Sequence, residues 1–358
     1  MSCAGASAAV SKMIDVAAFG ATPNDDADDA AGIARAIAAS RTADTIRFPP
    51  GRYMIASTVR LAGERTYRGR GATLVNAAGR AMPVFAISDA SALSISGFTF
   101  SGGGLKLDGG KTVSVQANTF RDIFDPAAPF GAETGIFLSR PVTGLWIRNN
   151  RFERIGRKGQ RIGTEAATGI LAFDVSSAEI AGNTFVDVHQ GMSLNFETSR
   201  RDIRVTRNKM TGVYRMGIEA HVPSDRPGGG RDVQITGFVT ADNTVSFSQR
   251  GSEHIGLSIV LNHSVGAAVT GNTVTTRHGR PCKGMGIEIG GVATVVARNR
   301  AEGDWCTGVG VYADRVQFAI VTANTVCGPK GKHPRIWYYN GRRRSVDQGG
   351  HRFQDTCR

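Results

Sequence analysis

Leucine is scarce in this chain, with 11 in 358 residues, while Gly (46 residues), Val, Ile, Thr and Asn are abundant. That balance favours short strands and frequent turns over packed helices. Long apolar runs are also missing. No stretch approaches the roughly 18 residues a membrane-spanning helix requires, so no membrane partner is expected. The chain carries no aromatic-plus-basic RNA motif, zinc finger or recognition-helix pattern, and nucleic acid is not an expected partner either. There is no P-loop or dinucleotide fingerprint, and the glycines of PGGGR (227–231) read as an inserted loop. Of five cysteines, four (Cys282, Cys306, Cys327, Cys357) fall in the last quarter without CxxC spacing, which argues against a zinc site. In an extracellular protein Cys282 can pair with Cys306 and Cys327 with Cys357, although spacing alone does not fix this. The first residues, MSCAGASAAVSKM, have neither a basic n-region nor an apolar h-region, so no signal peptide is read there. Residues 1–12 are expected to form a flexible terminus.

A repeat fills most of what remains. Asparagine followed two residues later by an apolar side chain recurs in ANTF, NNRF, GNTF, RNKM, DNTV, GNTV, RNRA and ANTV. The asparagines are Asn118, Asn150, Asn183, Asn208, Asn243, Asn272, Asn299 and Asn324, spaced 32, 33, 25, 35, 29, 27 and 25 residues apart. A second motif lies between them: GIFLS, GILAF, GMSLN, GIEAH, GLSIV, GIEIG and GVGVY, on Gly135, Gly169, Gly191, Gly217, Gly256, Gly286 and Gly308. The first and third residues after each Gly are apolar, the alternation of a strand with one face in a core. A fixed motif with variable spacing means one coil per repeat, with loops inserted at a common place. This predicts an all-β, single-stranded parallel β-helix of nine or ten coils, each about 4.8 Å above the last, whose right-handed sense is what the resemblance named below implies. The asparagines would form a structural ladder. Upstream, Asp28 and Asp29 read as helix-start acids before Ile33 and Ile37, predicting a short N-terminal capping helix at about 29–40.

At this point the chain resembles the pectin lyase-like right-handed β-helix superfamily, in particular its pectate-lyase-type N-terminal segment. The matching residues are Val16, Phe19–Gly20–Ala21, the Asp25–Asp29 acidic run, Phe48, Pro49, Gly51 and Tyr53. With the repeats, the resemblance covers residues 13–327. The basic, aromatic segment 328–358, with Trp337, Tyr338, Tyr339 and Arg342–Arg344, leaves the pattern and is expected to pack on the last coil. Because the superfamily includes hydrolases, lyases, epimerases and phage depolymerases, the resemblance implies carbohydrate chemistry without choosing a reaction. β-Helix depolymerases are often trimers, so a monomer or a homotrimer is expected.

Registering the strands on glycine aligns the outward positions into columns. Position two reads Phe137, Leu171, Ser193, Glu219, Ser258, Glu288, Gly310; position four reads Ser139, Phe173, Asn195, His221, Val260, Gly290, Tyr312. Position six adds Glu197 and Asp314. A groove along stacked coils suits a polymer, and Phe173 and Tyr312 offer stacking surfaces. Glu219 and Glu288 lie two coils apart, about 9.6 Å between backbones, with the small Ser258 between them. Carboxylates some 6.5–9.5 Å apart leave room for a water and suit inverting glycoside hydrolysis. The leading expectation is therefore acid/base hydrolysis of an extracellular or periplasmic polysaccharide by Glu219 and Glu288. Asn195, Glu197, Ser258, Phe173, Tyr312 and Asp314 would bind substrate.

The GIEAH stretch also resembles the acid-x-His strand motif of β-helical uronan C5-epimerases and related lyases, with Glu219 and Ala220 where that motif has Asp and Pro. This resemblance makes His221 a proton-abstracting base, with Tyr214, Arg215, Lys283 or Tyr312 as acid or anion clamp. A third alternative is a non-catalytic glycan-binding β-solenoid. The net charge of +13 suits an acidic polysaccharide. Basic residues of the inserted loops, Arg157, Lys158, Arg161, Arg277 and Lys283, would flank the groove. Pectate lyases use calcium, but these columns carry isolated acids, and no cofactor is expected.

Overall fold

In a computed structural model of the chain, placement is described for residues 11–125, 127, 129–156, 167–222, 233–248, 255–277, 284–312, 318–328, 334–339 and 346–356. Parallel strands wind into one long solenoid, a right-handed β-helix with three faces. Each central coil runs through three strands, as in Gln190–Asn195, Arg200–Thr206 and Lys209–Val213. The first two strand types join into a 20-stranded sheet, and the third forms a separate 12-stranded one. Among the described residues the third face thus counts 12 strands rather than the nine or ten coils expected. The excess comes from strands without the repeat motifs, such as Gly51–Ile55, Ala72–Asn76 and Thr99–Ser101, all N-terminal to Asn118.

The motifs have separate structural causes. Each ladder asparagine follows a residue in the left-handed region, from Ala117 (φ 54°) to Ala323 (φ 52°), which turns the chain sharply between faces. The ladder itself is continuous. The backbone N–H and Nδ2 of each asparagine donate to Oδ1 of the next, as from Asn208 to Asn243 at 3.0 and 2.9 Å. Nδ2 also reaches a carbonyl of the coil before, satisfying buried groups that a tight turn would otherwise strand. The apolar residue two places on points inward, where Phe100, Phe120, Phe152 and Phe185 stack nearly parallel at 4.6–5.1 Å. The Gly column meets the far side of this core. A Cβ on Gly217 would lie 2.4 Å from Gly256 O and 2.7 Å from a Val245 methyl carbon, so only hydrogen fits.

Among the described residues, Ile336–Tyr339, Val346–Gly349 and Arg352–Gln354 pair in parallel with the coil before. His351 takes the ninth ladder place. The Asn324 N–H donates to its Nδ1 at 3.1 Å, leaving Nε2–H to donate to Asp347 Oδ1 at 3.0 Å. His351→Asn should therefore keep the final coil, because an amide oxygen accepts the same bond. His351→Ala should expose the Asn324 amide and cost about 1 kcal/mol. Hydrogen exchange at Asn324 distinguishes the two: fast in the alanine variant, slow in the asparagine one.

At the other end the helix Ala30–Ala39 lays Ile33, Ala36 and Ile37 over the open core. It starts one residue later than expected, and Asp29 does not cap it through its side chain. That carboxyl instead accepts the Met54 N–H at 2.9 Å, while Asp28 accepts from Ala30 and Ala56. Burial, reinforced by neighbouring acids, raises the Asp29 pKa to about 6. A folded-state pKa above the unfolded value makes the native state bind more protons between about pH 4 and 6, so stability falls as pH rises through that window. Asp29→Asn keeps the bond from Met54 and removes the titration. It should be about as stable as the parent at pH 4 and about 1–3 kcal/mol more stable at pH 8 in urea unfolding.

Residues 11 and 12, assigned to a flexible terminus, are tied down instead: Ser11 Oγ donates to Ala43 O and the Lys12 amide to Asp44. Residues 1–10 lie outside the described set. Cys306 and Cys327 are both disulfide-bonded; Cys282 and Cys357, their expected partners, lie outside the described residues.

Candidate functional site

The groove face follows the glycine register. Phe137, Leu171, Ser193, Glu219, Ser258, Glu288 and Gly310 pair in sequence from coil to coil, and Trp337 extends the column. Phe173, Asn195, His221, Val260, Gly290 and Tyr312 form the second column. Ile218 and Ala220 are fully buried beneath the central coil, which turns Glu219 and His221 outward.

Glu219 is held from one side. Its Oε2 accepts from Gln190 Nε2 at 2.8 Å and from Ser193 Oγ at 2.9 Å, and both donors are 1% exposed. The orientation of the Gln190 amide is fixed in turn, because Arg215 donates to its Oε1 at 3.0 Å. With Oε2 committed to two donors, Oε1 lies 3.7 Å from His221 Nδ1. That ring nitrogen is buried and has no hydrogen-bond partner, although the side chain as a whole is 26% exposed. Two coils on, Glu288 Oε2 accepts from Ser258 Oγ at 2.7 Å. Ser258 therefore holds one of the two carboxylates it separates.

The other expected residues divide. Asn195 is buried and donates weakly to Ser193 Oγ at 3.3 Å, so it lies in the floor. Phe173 and Tyr312 are partly exposed in the groove face. Tyr214 and Arg215 stand at the corner where the strand Met216–His221 begins, with burial raising the pKa of the Tyr214 hydroxyl. Glu197 is exposed beyond the end of the strand Gln190–Asn195, and only its backbone N–H is engaged, by Asp174. It is not gathered with the other two glutamates. Asp314, Lys283, Arg157, Lys158 and Arg161 lie outside the described residues; Arg277 is exposed.

Three residues of the site were not anticipated as such: Gln190, Ser193 and His189. Gln190 precedes the repeat glycine, in a mixed column that also holds Thr168, Met216, Ile255, Met285 and Thr307, so its residue type gave no distinct signal. His189 is 3% exposed, both ring nitrogens lack hydrogen bonds, and burial, aided by the Arg215 charge, lowers its pKa to about 4. It is a neutral wall residue at neutral pH. Among the described residues no group of three or more His, Cys, Asp or Glu is arranged to hold a metal ion, and no helix is long and apolar enough to cross a membrane.

Comparison with known proteins agrees with the architecture. The family model "Rhamnogalacturonase A/epimerase, pectate lyase-like" matches residues 13–89. The chain has the pectin lyase-like right-handed parallel β-helix fold. No curated protein matches it in sequence. Among solved structures, an exopolygalacturonase of Thermotoga maritima is similar over 95% of this chain and 91% of its own, at 10% identity and a TM-score of 0.62. The tailspike of Escherichia coli bacteriophage HK620, solved with a pentasaccharide, is similar over 95% of this chain and 65% of its own (14% identity, TM-score 0.65). PfbA, a surface adhesin of Streptococcus pneumoniae, is similar over 95% and 91%, at 14% identity and a TM-score of 0.54.

Proposed function

We propose that the protein acts on an extracellular, anionic polysaccharide and hydrolyses its glycosidic bonds with inversion, using Glu219 and Glu288. The observation carrying this reading is the register Glu219–Ser258–Glu288, two outward carboxylates separated by one small residue on an open face. Two coils correspond to about 9.6 Å between backbones, which side-chain reach can shorten into the inverting range. Similarity to an exopolygalacturonase and a saccharide-bound tailspike supports a glycan in the groove, and the net charge of +13 supports an acidic one.

The two glutamates then take different roles. Glu219, with Oε2 held by two donors and Oε1 free, accepts a proton from water as the water oxygen attacks the anomeric carbon. Glu288 donates its proton to the departing glycosidic oxygen as the bond breaks. Exchange with solvent restores both protonation states.

A second reading has its own observation, the unpartnered His221 Nδ1 next to a carboxylate. In β-elimination or C5 epimerisation, His221 would take the C5 proton while Glu219 holds the uronate. Incubation with a panel of acidic polysaccharides separates the possibilities. New reducing ends without ultraviolet absorbance from unsaturated uronate support hydrolysis; that absorbance indicates a lyase. Solvent exchange at C5 without cleavage indicates an epimerase, and binding without turnover indicates an adhesin-like solenoid.

A further inference from the structure

The groove column changes character three coils before Glu219. Phe137, in register with Leu171, Ser193 and then Glu219, meets Phe130 edge to face at 5.9 Å and Phe173 at 6.4 Å; Phe130 and Phe173 are also 6.4 Å apart. Phe130 is 54% exposed, and Phe173 is partly exposed one column over, two coils before His221. Three rings therefore converge on the face that carries the two glutamates, about 10–14 Å from Glu219 and about 19–24 Å from Glu288 along the solenoid axis. The cation over the Phe137 ring is paired. Lys106 lies over the Phe137 ring at 5.9 Å, but its Nζ is 3.1 Å from Asp108 Oδ1, and Asp108 also accepts from Ser139.

We propose that Phe130, Phe137 and Phe173 form a stacking subsite for a neutral sugar ring of the polysaccharide. The inference rests on the reading of the groove as a polysaccharide site, and continuity of register with Glu219 argues for glycan as the occupant. Phenylalanine offers a π-face without a donor or acceptor, which suits the C–H face of a pyranose. A uronate carboxylate placed over the rings would lose hydration while Lys106, the cation over Phe137, is already engaged by Asp108. The substrate is therefore a heteropolymer, with a neutral ring at the aromatic subsite and its anionic units elsewhere along the groove.

Affinity electrophoresis in the Glu219→Gln background reads binding without turnover. The probes are polygalacturonate and alginate, all-uronate polymers, and xanthan and rhamnogalacturonan, which include neutral sugars. The subsite predicts stronger retardation by at least one heteropolymer than by either uronan. Phe130→Ala should weaken that binding about tenfold and Phe130→Trp should retain it; because Phe130 is mostly exposed, neither change threatens folding. Unchanged binding in Phe130→Ala overturns the subsite, even if Glu219→Gln abolishes hydrolysis and the function stands. Preference for the uronans overturns it as well. Binding to no probe overturns subsite and polysaccharide reading together. Light scattering provides the remaining outcome: if Phe130→Ala converts an oligomer to a monomer with glycan affinity intact, the patch is an interface between copies.

Discussion

Glu219→Gln and Glu288→Gln are each expected to lower turnover about a thousandfold while leaving glycan affinity within about threefold. The size follows from losing a positioned proton donor or acceptor, which typically costs 10²–10⁴ in rate. Retained affinity follows from the isosteric amide, which leaves the groove shape unchanged. In Glu219→Gln the amide oxygen can still accept from Gln190 and Ser193, so the local network is preserved while the basic oxygen is lost. The double variant should be little worse than either single one, because the acid and base serve one step. Single-turnover rates and binding isotherms on the cleaved polysaccharide check all three statements. Full activity in both single variants would remove the glutamate pair from the mechanism.

The largest stability effect is expected at Asn243. Its Oδ1 accepts both the backbone N–H and Nδ2 of Asn208, and its own Nδ2 donates to Val205 O and Asn272 Oδ1. Asn243→Ala strands the two buried Asn208 donors and takes the Nδ2 donor from Val205 O in the same coil, while Asn272 Oδ1 keeps the Asn243 N–H. With about 1–3 kcal/mol for each unsatisfied buried group, a loss of about 3 kcal/mol or more follows. The end of the ladder gives an internal comparison, since His351→Ala strands a single donor, the Asn324 amide. Urea unfolding followed by circular dichroism should rank Asn243→Ala well below His351→Ala. Equal effects would mean that the ladder contributes little.

Sequence carried the fold because the β-helix repeats one local solution many times. Turn asparagines, inward Phe120, Phe152 and Phe185, and the close-packed glycines each leave a periodic trace. The exceptions are chemical substitutes at a repeated place. His351 stands where the pattern has asparagine, and HRF reads like NRF once a ring nitrogen is admitted as an acceptor. Position along the groove was equally legible: register alone put Glu219, Ser258 and Glu288 in one column. The hydrogen bonds around them were not. Gln190 and Ser193 reach Glu219 from the coil before, and Arg215 fixes the Gln190 amide from the corner, contacts that depend on side-chain direction across coils. Glu197 shows the converse. Counting by twos from glycine gave it a place in the groove, but the strand ends at Asn195, two residues before it.

Product stereochemistry tests the central claim most directly. Proton NMR recorded during the first turnovers on a cleaved polysaccharide reads the anomeric configuration before mutarotation. Two carboxylates two coils apart with water between them predict a product of inverted configuration and no C4–C5 double bond. A retained anomer, or an unsaturated uronate at the new end, would contradict the assignment of Glu219 and Glu288 as an inverting pair.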